Sequence, residues 1–350
     1  MALSTINNNS IADTAVHGVR NLIHNGAMTV AQRGADNLNI TSASGGTFAC
    51  DRFKFYLSLG GTAQFDLQQV AEAPTGSGFS NSLKVSCDVT DTLTAGHYLF
   101  LEYNLEGQDV QNLKKGTSSA ESVTLSFWLK SNKTASGQVN FRDHDNTRLI
   151  SKTYTVSAAD TWQYITLTFD GDTAGAITND NTKGLSLEFY LDSGTTYSSG
   201  ATPANWEALS QADRNATNFG LVSSTSNYWQ ITGVQLEVGD TATPFEHRSF
   251  GDELARCQRY YKEWSGNIET AGRTKNGTTT CNFALEMRTT PTVTFGTTYA
   301  YYNNIGYEIT AIVANSSQGN LATTHTSFSS TNVGAAASVF LGNLKADAEL

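Results

Sequence analysis

Charge is scarce in this chain. Lys, Arg, Asp and Glu make up 15% of its 350 residues, against roughly a quarter in ordinary globular proteins. Proline (4) and methionine (3) are rare, and the four cysteines stand far apart. Cys50, Cys87, Cys257 and Cys281 form no C-x-x-C pair, so neither a zinc site nor a redox motif is written in them. They read as reduced, small core residues. No apolar run approaches the ~20 residues of a membrane helix, and no membrane insertion is expected. The formal net charge of −10 argues against binding nucleic acid through its phosphates, which needs a basic surface, so nucleic acid is not an expected partner. It also disfavours an anionic membrane surface. The start "MALSTINNNSIADTAVHGVR" lacks the charged end and apolar centre of a signal peptide. The expectation is a chain kept in a cytoplasm or released by lysis, and Asn132-Lys133-Thr134 and Asn215-Ala216-Thr217 are not expected to be glycosylated.

Zinc-protease spacing, a nucleophile elbow, a P-loop and a dinucleotide fingerprint are also missing. "RDHDNTR" places Asp143, His144 and Asp145 together, but the same residues suit a hairpin tip, and that reading is preferred to a metal site. Acids such as Asp51, Asp66, Glu102, Glu106 and Asp109 could form a glycosidase pair only if folding sets two of them at the right separation. No enzyme is expected, and no cofactor. Asn25, Glu237 and Asp240 have the ligand chemistry of a structural Ca²⁺, in a scattered pattern.

What the chain has in abundance is aromatic and alternating. It holds 17 Phe and 14 Tyr. In "VTLSFWLK" Val123, Leu125, Phe127 and Leu129 share one face. "YITLTF" (Ile165, Leu167, Phe169) and "LSLEFYL" (Leu185, Leu187, Phe189, Leu191) repeat the pattern. Period-two alternation between polar turns predicts an all-β jelly-roll or β-sandwich. In "WQITGVQLEV" the apolar parity switches, from Trp229 and Ile231 to Val234, Leu236 and Val238. One extra residue at Thr232-Gly233 produces that switch, so a β-bulge is predicted in the sandwich's last strand.

Four segments follow. Residues 1–20 carry sparse Leu3, Ile6, Ile11 and Val16, too few for a core, and read as an extended anchor held by another protein. Residues 21–247 form the sandwich. Residues 248–264 read as a connecting helix, capped by Ser249, with Phe250, Leu254, Cys257 and Tyr261 as one packing or oligomerisation stripe. Residues 265–350 read as a second, smaller β-sandwich, the tip. Trp128 on the polar side of its strand, and Tyr197 and Trp206 in loop-like sequence, are the candidates for stacking on sugar rings.

The stretches "NLIHNGAMTVAQRG", "GQDVQNLKKGTSSAESVTLSFWLKSNKT", "ISKTYTVSAADTWQYITLTFDGDTAGAITND" and "STSNYWQITGVQLEVGDTATPFEHRSFGDELARCQRYY" resemble, across about residues 20–262, virion fibre proteins of tailed phages of the marine or cyanophage type. The "NLIHNGAM" start and "WQITGVQLEVG" end resemble jelly-roll carbohydrate-binding modules, with Gln235 where such modules often carry an acidic calcium ligand. The resemblance implies a virion structural protein of tail-fibre or spike type, assembled in the host cytoplasm. It also implies a homotrimer, attachment to other virion proteins through the N-terminus, and binding of a host surface glycan or receptor. A capsid decoration or head-fibre protein is the alternative. A glycan-degrading tailspike and a free carbohydrate-binding module are the readings from other classes.

Overall fold

In the computed structural model, the described residues are 20–41, 43–272, 278–282, 287–294, 298–302, 305–308, 312–315, 323–328 and 337–350. The expected anchor residues Leu3, Ile6, Ile11 and Val16 lie outside them. The chain divides into Met1–Phe250 and Gly251–Leu350.

The first unit carries, in order, strands β1 (Asp36–Ile40), β2 (Ala43–Thr47), β3 (Phe53–Ser58), β4 (Gln64–Val70), β5 (Ser82–Val89), β6 (Tyr98–Glu106), β7 (Val123–Ser131), β8 (Ser136–Asp143), β9 (Arg148–Thr155), β10 (Gln163–Phe169), β11 (Lys183–Ser193), β12 (Glu207–Ala208) and β13 (Tyr228–Val238). A one-turn helix α1 (Thr195–Ser198) lies between β11 and β12. One sheet has the order β1-β4-β5-β13-β7-β10, the other β12-β9-β8-β11-β6-β3-β2. Their strand pairs are antiparallel. This is the expected all-β jelly-roll sandwich.

Alternation makes the core. Leu125, Phe127 and Leu129 of β7 face inward with Phe53, Phe55 and Leu57 of β3 and Leu185, Leu187 and Phe189 of β11, all buried. Phe127 meets Phe189 edge-on, with ring centroids 5.4 Å apart. Trp229 is fully buried, and its indole N–H donates to Tyr154 Oη at 3.0 Å, so its one polar atom is satisfied. Cys50, Cys87 and Cys257 are buried free thiols.

The bulge is where the parity switch put it. The β13–β7 register slips between Thr232 and Gln235, and Trp229, Ile231, Val234 and Leu236 are all inside. Gly233 has φ +62°, and a Cβ there would lie 2.7 Å from the Phe79 ring.

The second unit opens with helix α2 (Phe250–Gln258). Strands β14 (Tyr261–Gly272), β15 (Thr278–Asn282), β16 (Thr292–Thr294), β17 (Thr298–Tyr302), β18 (Ile305–Glu308), β19 (Ile312–Asn315), β20 (Thr323–Phe328) and β21 (Ala337–Asp347) follow. They form a five-stranded sheet centred on β21 and a three-stranded sheet β15-β20-β19. The expected helical stripe needs correction. The helix stops at Gln258, the Tyr260 N–H closes a turn on Cys257 O at 2.9 Å, and Tyr261 enters β14 opposite Asp347. The aromatic run "YYKEW" has strand preference, and ten residue pairs with β21 outweigh one more helical turn. Phe250 is 61% exposed, while Glu253 and Cys257 are the helix's buried residues. Tyr261 therefore leaves the helical stripe, and Phe250 is exposed on the single chain.

Gly233→Ala is expected to cost about 1–2 kcal/mol from the left-handed backbone alone, with the Phe79 clash added. Thermal unfolding checks this, and an unchanged midpoint would contradict the bulge assignment.

Candidate functional site

The outward parity of the seven-stranded sheet is not a plain solvated face. On β6 it reads Tyr98, Phe100, Glu102, Asn104; on β11 it reads Ser186, Glu188, Tyr190. Register aligns these residues into rows across the strands. Tyr56 of β3 lies opposite Phe100, and Phe100 opposite Tyr190. Their rings stack at 5.0 and 4.9 Å, which is the spacing of neighbouring strands, about 4.8 Å. Two residues along, Lys54, Glu102, Glu188, Asn140 and Ser151 form a polar row. An aromatic ladder thus runs beside a ladder of charged and amide groups, about 7 Å away.

The segment between β11 and β13 completes the site. Asn140 Nδ2 donates to Arg214 O and Gln138 Nε2 to Asp213 O, both at 2.8 Å. Asn218 Nδ2 donates to Asp192 Oδ1 at 2.8 Å. So anchored, Arg214 reaches Glu188 through Nη2 at 3.0 Å, and Arg142 Nη1 meets the same carboxylate at 3.1 Å. The Arg214 guanidinium also lies over the rings of Tyr190, Phe100 and Tyr197, at 5.3, 5.7 and 5.8 Å. Tyr197, from α1, packs edge-on against Tyr98 at 5.3 Å. Tyr190 is buried, and its Oη has no hydrogen-bond partner among the described residues.

Burial pushes the Glu188 carboxyl up, but the charges of Arg214 and Arg142, with Lys183 behind them, outweigh it and hold it at about 2. Burial, with Lys183 and Arg142 nearby, drives the His144 imidazole down to about 3. The ring sits neutral, with Nε2 2.9 Å from Ser186 Oγ. Partial burial and the neighbouring Glu102 raise the phenol of Tyr56 above the usual range.

Glu102, His144 and Glu188 bring ligand atoms within 4.8 Å of one another. They do not make a convincing metal centre. Lys183 already pairs with Glu102, and Arg142 and Arg214 with Glu188, so the carboxylates are neutralised by fixed cations. The calcium candidates fit no better. Asn25 Nδ2 donates to Val30 O and Asp51 O, and its Oδ1 accepts the Thr29 and Val30 N–H groups, all at 2.9 Å. Both lone pairs of that oxygen are engaged. Glu237 accepts from Gln235 and Thr243, and Asp240 is exposed and takes the Thr241 hydroxyl.

"RDHDNTR" is the hairpin tip between β8 and β9. Its side chains diverge: Asp143 to Lys115 and Asn146, His144 to Ser186, Asp145 to the Thr178 N–H.

Of the expected sugar-stacking residues, only Tyr197 joins this site. Trp206 is a wedge. Its indole N–H donates to Asp170 O at 2.7 Å, and its ring packs on Phe141 at 5.7 Å and covers the Lys115 ammonium at 4.8 Å. That buried ammonium is held by Asp143, Asp172 and the carbonyls of Ala174 and Gly175. Trp128 is on the other sheet, half-buried beside Tyr164, which lies opposite it at 5.3 Å and is 47% exposed. Tyr56, Tyr98, Phe100, Tyr190, Glu102, Glu188, Arg142 and Arg214 were not among the sugar-binding candidates read from the sequence, where Glu102 appeared only among the acids weighed for a glycosidase pair. The signal for the first six was a second parity in β3, β6 and β11 that mixes rings with carboxylates.

No protein-family model and no curated protein matches the chain. Among solved structures, the enzymatically active domain of bacteriophage CBA120 tailspike protein 4 aligns with a TM-score of 0.33 at 12% identity, over 62% of this chain. This chain covers 21% of that one. The family 11 carbohydrate-binding module of the Clostridium thermocellum cellulase Lic26A-Cel5E gives 0.28 at 14% identity, covering 61% of this chain and 98% of the module. The CBM22-1 xylan-binding domain of Paenibacillus barcinonensis Xyn10C gives 0.27 at 13%, covering 65% and 100%. Alignments this shallow assign no ligand and no activity to this chain.

Both titrations point the same way. His144 is held below its unfolded value of about 6.5 and Glu188 below about 4.3, so the unfolded chain binds protons that the fold refuses. Their contribution is fully present above about pH 6.5 and falls as pH drops through the folded values of about 3 and about 2. Denaturant midpoints measured against pH should show this loss. His144→Gln should flatten its upper part while leaving the lower step, and a midpoint rising on acidification would contradict the assignment.

Proposed function

We propose that the first unit is a non-catalytic glycan-binding module that uses the outer face of its seven-stranded sheet. The observation that carries this is the alignment of Tyr56, Phe100 and Tyr190 in one row, beside Glu102, Glu188 and Asn140 in the next. The partly exposed Tyr56 ring supplies an apolar face for a sugar ring, and Arg142 and Lys183, fixed by the buried carboxylates beneath them, read its oxygens. The site is built on strands and held by buried ion pairs, so little order is lost on binding. Hydrolysis is disfavoured. A glycosidase needs one carboxylic acid kept protonated near neutrality, and Glu188 is held far below that while Lys183 pairs with Glu102.

Tyr56→Ala should weaken binding of a cognate oligosaccharide at least tenfold, roughly the value of one lost ring, with the fold intact. Trp206→Ala should lower stability and leave affinity unchanged. Isothermal titration separates the two, and equal affinity in the wild type and Tyr56→Ala would contradict the placement of the site.

Within this reading we propose that the chain is a structural protein of a phage virion, of tail-fibre or spike type. It would attach through residues 1–20, touch the host surface glycan and assemble as a homotrimer. The support is the motif resemblance, together with the acidic chain and its two β units. The expected mass in solution is three chains, and loss of residues 1–20 should abolish incorporation into particles. A stable monomer at micromolar concentration would overturn the trimer; unchanged incorporation would overturn the attachment role.

A further inference from the structure

The proposed glycan site has a local charge opposite to the chain's. The whole chain carries −10. Across the polar row and its immediate partners, Lys54, Arg142, Lys183 and Arg214 face Glu102 and Glu188. Further along the sheet, Arg52 reaches Asn104 O and Glu106 lies opposite Lys183, adding one charge of each sign. The imbalance at the surface is sharper than the tally, because the two signs are buried differently. The side chains of Glu102 and Glu188 are 3% and 0% exposed, whereas those of Arg142 and Lys183 are 23% and 24% exposed. The carboxylates form the floor and the cations form the rim. In addition, Arg142 Nε has no acceptor among the described residues. A buried N–H left without a partner is costly, and an oxygen brought to Arg142 by a ligand would relieve that cost.

We propose that the ligand is an acidic glycan, bound with its carboxylate or sulfate oxygens between Arg142 and Lys183 and its sugar ring against Tyr56. This rests on the glycan reading above. The aromatic and polar rows are two residues apart on β6, about 7 Å, so one sugar unit can touch both the rings and the cationic rim. A neutral glycan would find hydroxyl acceptors there but would leave the surplus of positive charge over the two buried carboxylates unbalanced. Guanidinium and ammonium groups bind anionic oxygens more strongly than neutral ones.

The test is isothermal titration of the full chain against oligouronates, sulfated oligosaccharides and neutral gluco-oligosaccharides of matched length. An acidic series is expected to bind at least about tenfold tighter than the neutral one, with the advantage shrinking at high salt. Which acidic series binds distinguishes carboxylate from sulfate. Lys183→Gln and Arg142→Gln should each erase the advantage. Lys183→Gln carries the test alone if loss of the Arg142–Glu188 pair prevents folding. Equal or tighter binding of the neutral series, or a preference that survives Lys183→Gln, overturns the inference and leaves the glycan reading standing. Failure of every series to bind overturns both.

Discussion

A carboxylate sealed from water must be neutralised by its surroundings, and Glu188 sets that requirement for the whole site. Its side chain has no exposure, and Arg142 and Arg214 meet it from two different elements. Arg142 comes from the next strand. Arg214 comes from the segment after β12, so that segment must lie on the sheet for the charge to be paired at all. Once there, its guanidinium lies over the rings of Tyr190, Phe100 and Tyr197. The Arg214–Glu188 pair therefore orders the aromatic row, and removing Glu188 would leave the Arg214 charge buried without its partner, at a cost of about 3–5 kcal/mol.

The two outer faces of the sandwich show what this constraint does. On the six-stranded sheet, Trp128 and Tyr164 pair at the β7–β10 margin, and Lys130 reaches Glu72 near the surface. Such exposed pairs add little rigidity. On the seven-stranded sheet, polar side chains bond one another in depth: Gln138 to Asn140, Ser151 to Asn140, Asn140 to Glu188. Side chains locked in that way are preorganised for recognition. The clamp on Lys115, roofed by Trp206, does similar work for the loop beyond β10, where Asp172 also takes Arg148.

The sandwich and its bulge were legible in the sequence because both follow from a single-parity pattern. Leu125, Phe127 and Leu129 had to share a face, and the switch from Ile231 to Val234 required an extra residue. The end of α2 was not legible: Cys257 and Tyr261 keep helical spacing, and only pairing with β21, some eighty residues later in the chain, pulls Tyr261 into a strand. The site was half-legible. "YLFLEYNLE" and "LSLEFYL" carry Phe100, Glu102, Glu188 and Tyr190 on the parity opposite the core, an arrangement a plain solvated face would not need. No local pattern says that Arg142 and Arg214 converge on Glu188, because that depends on strand order. Trp206 looked like a free platform for the same reason. Its partners Lys115, Phe141 and Asp170 come from three other parts of the chain.

The central claim is that ligand contact falls on β3, β6 and β11 of the seven-stranded sheet. Backbone amide shifts followed by NMR during titration with a bound oligosaccharide test it most directly. The account predicts that the largest changes cluster at Tyr56, Phe100, Glu102 and Glu188, with Trp128 and Tyr164 unmoved. Changes centred on Trp128 and Tyr164, with the seven-stranded face silent, would contradict it.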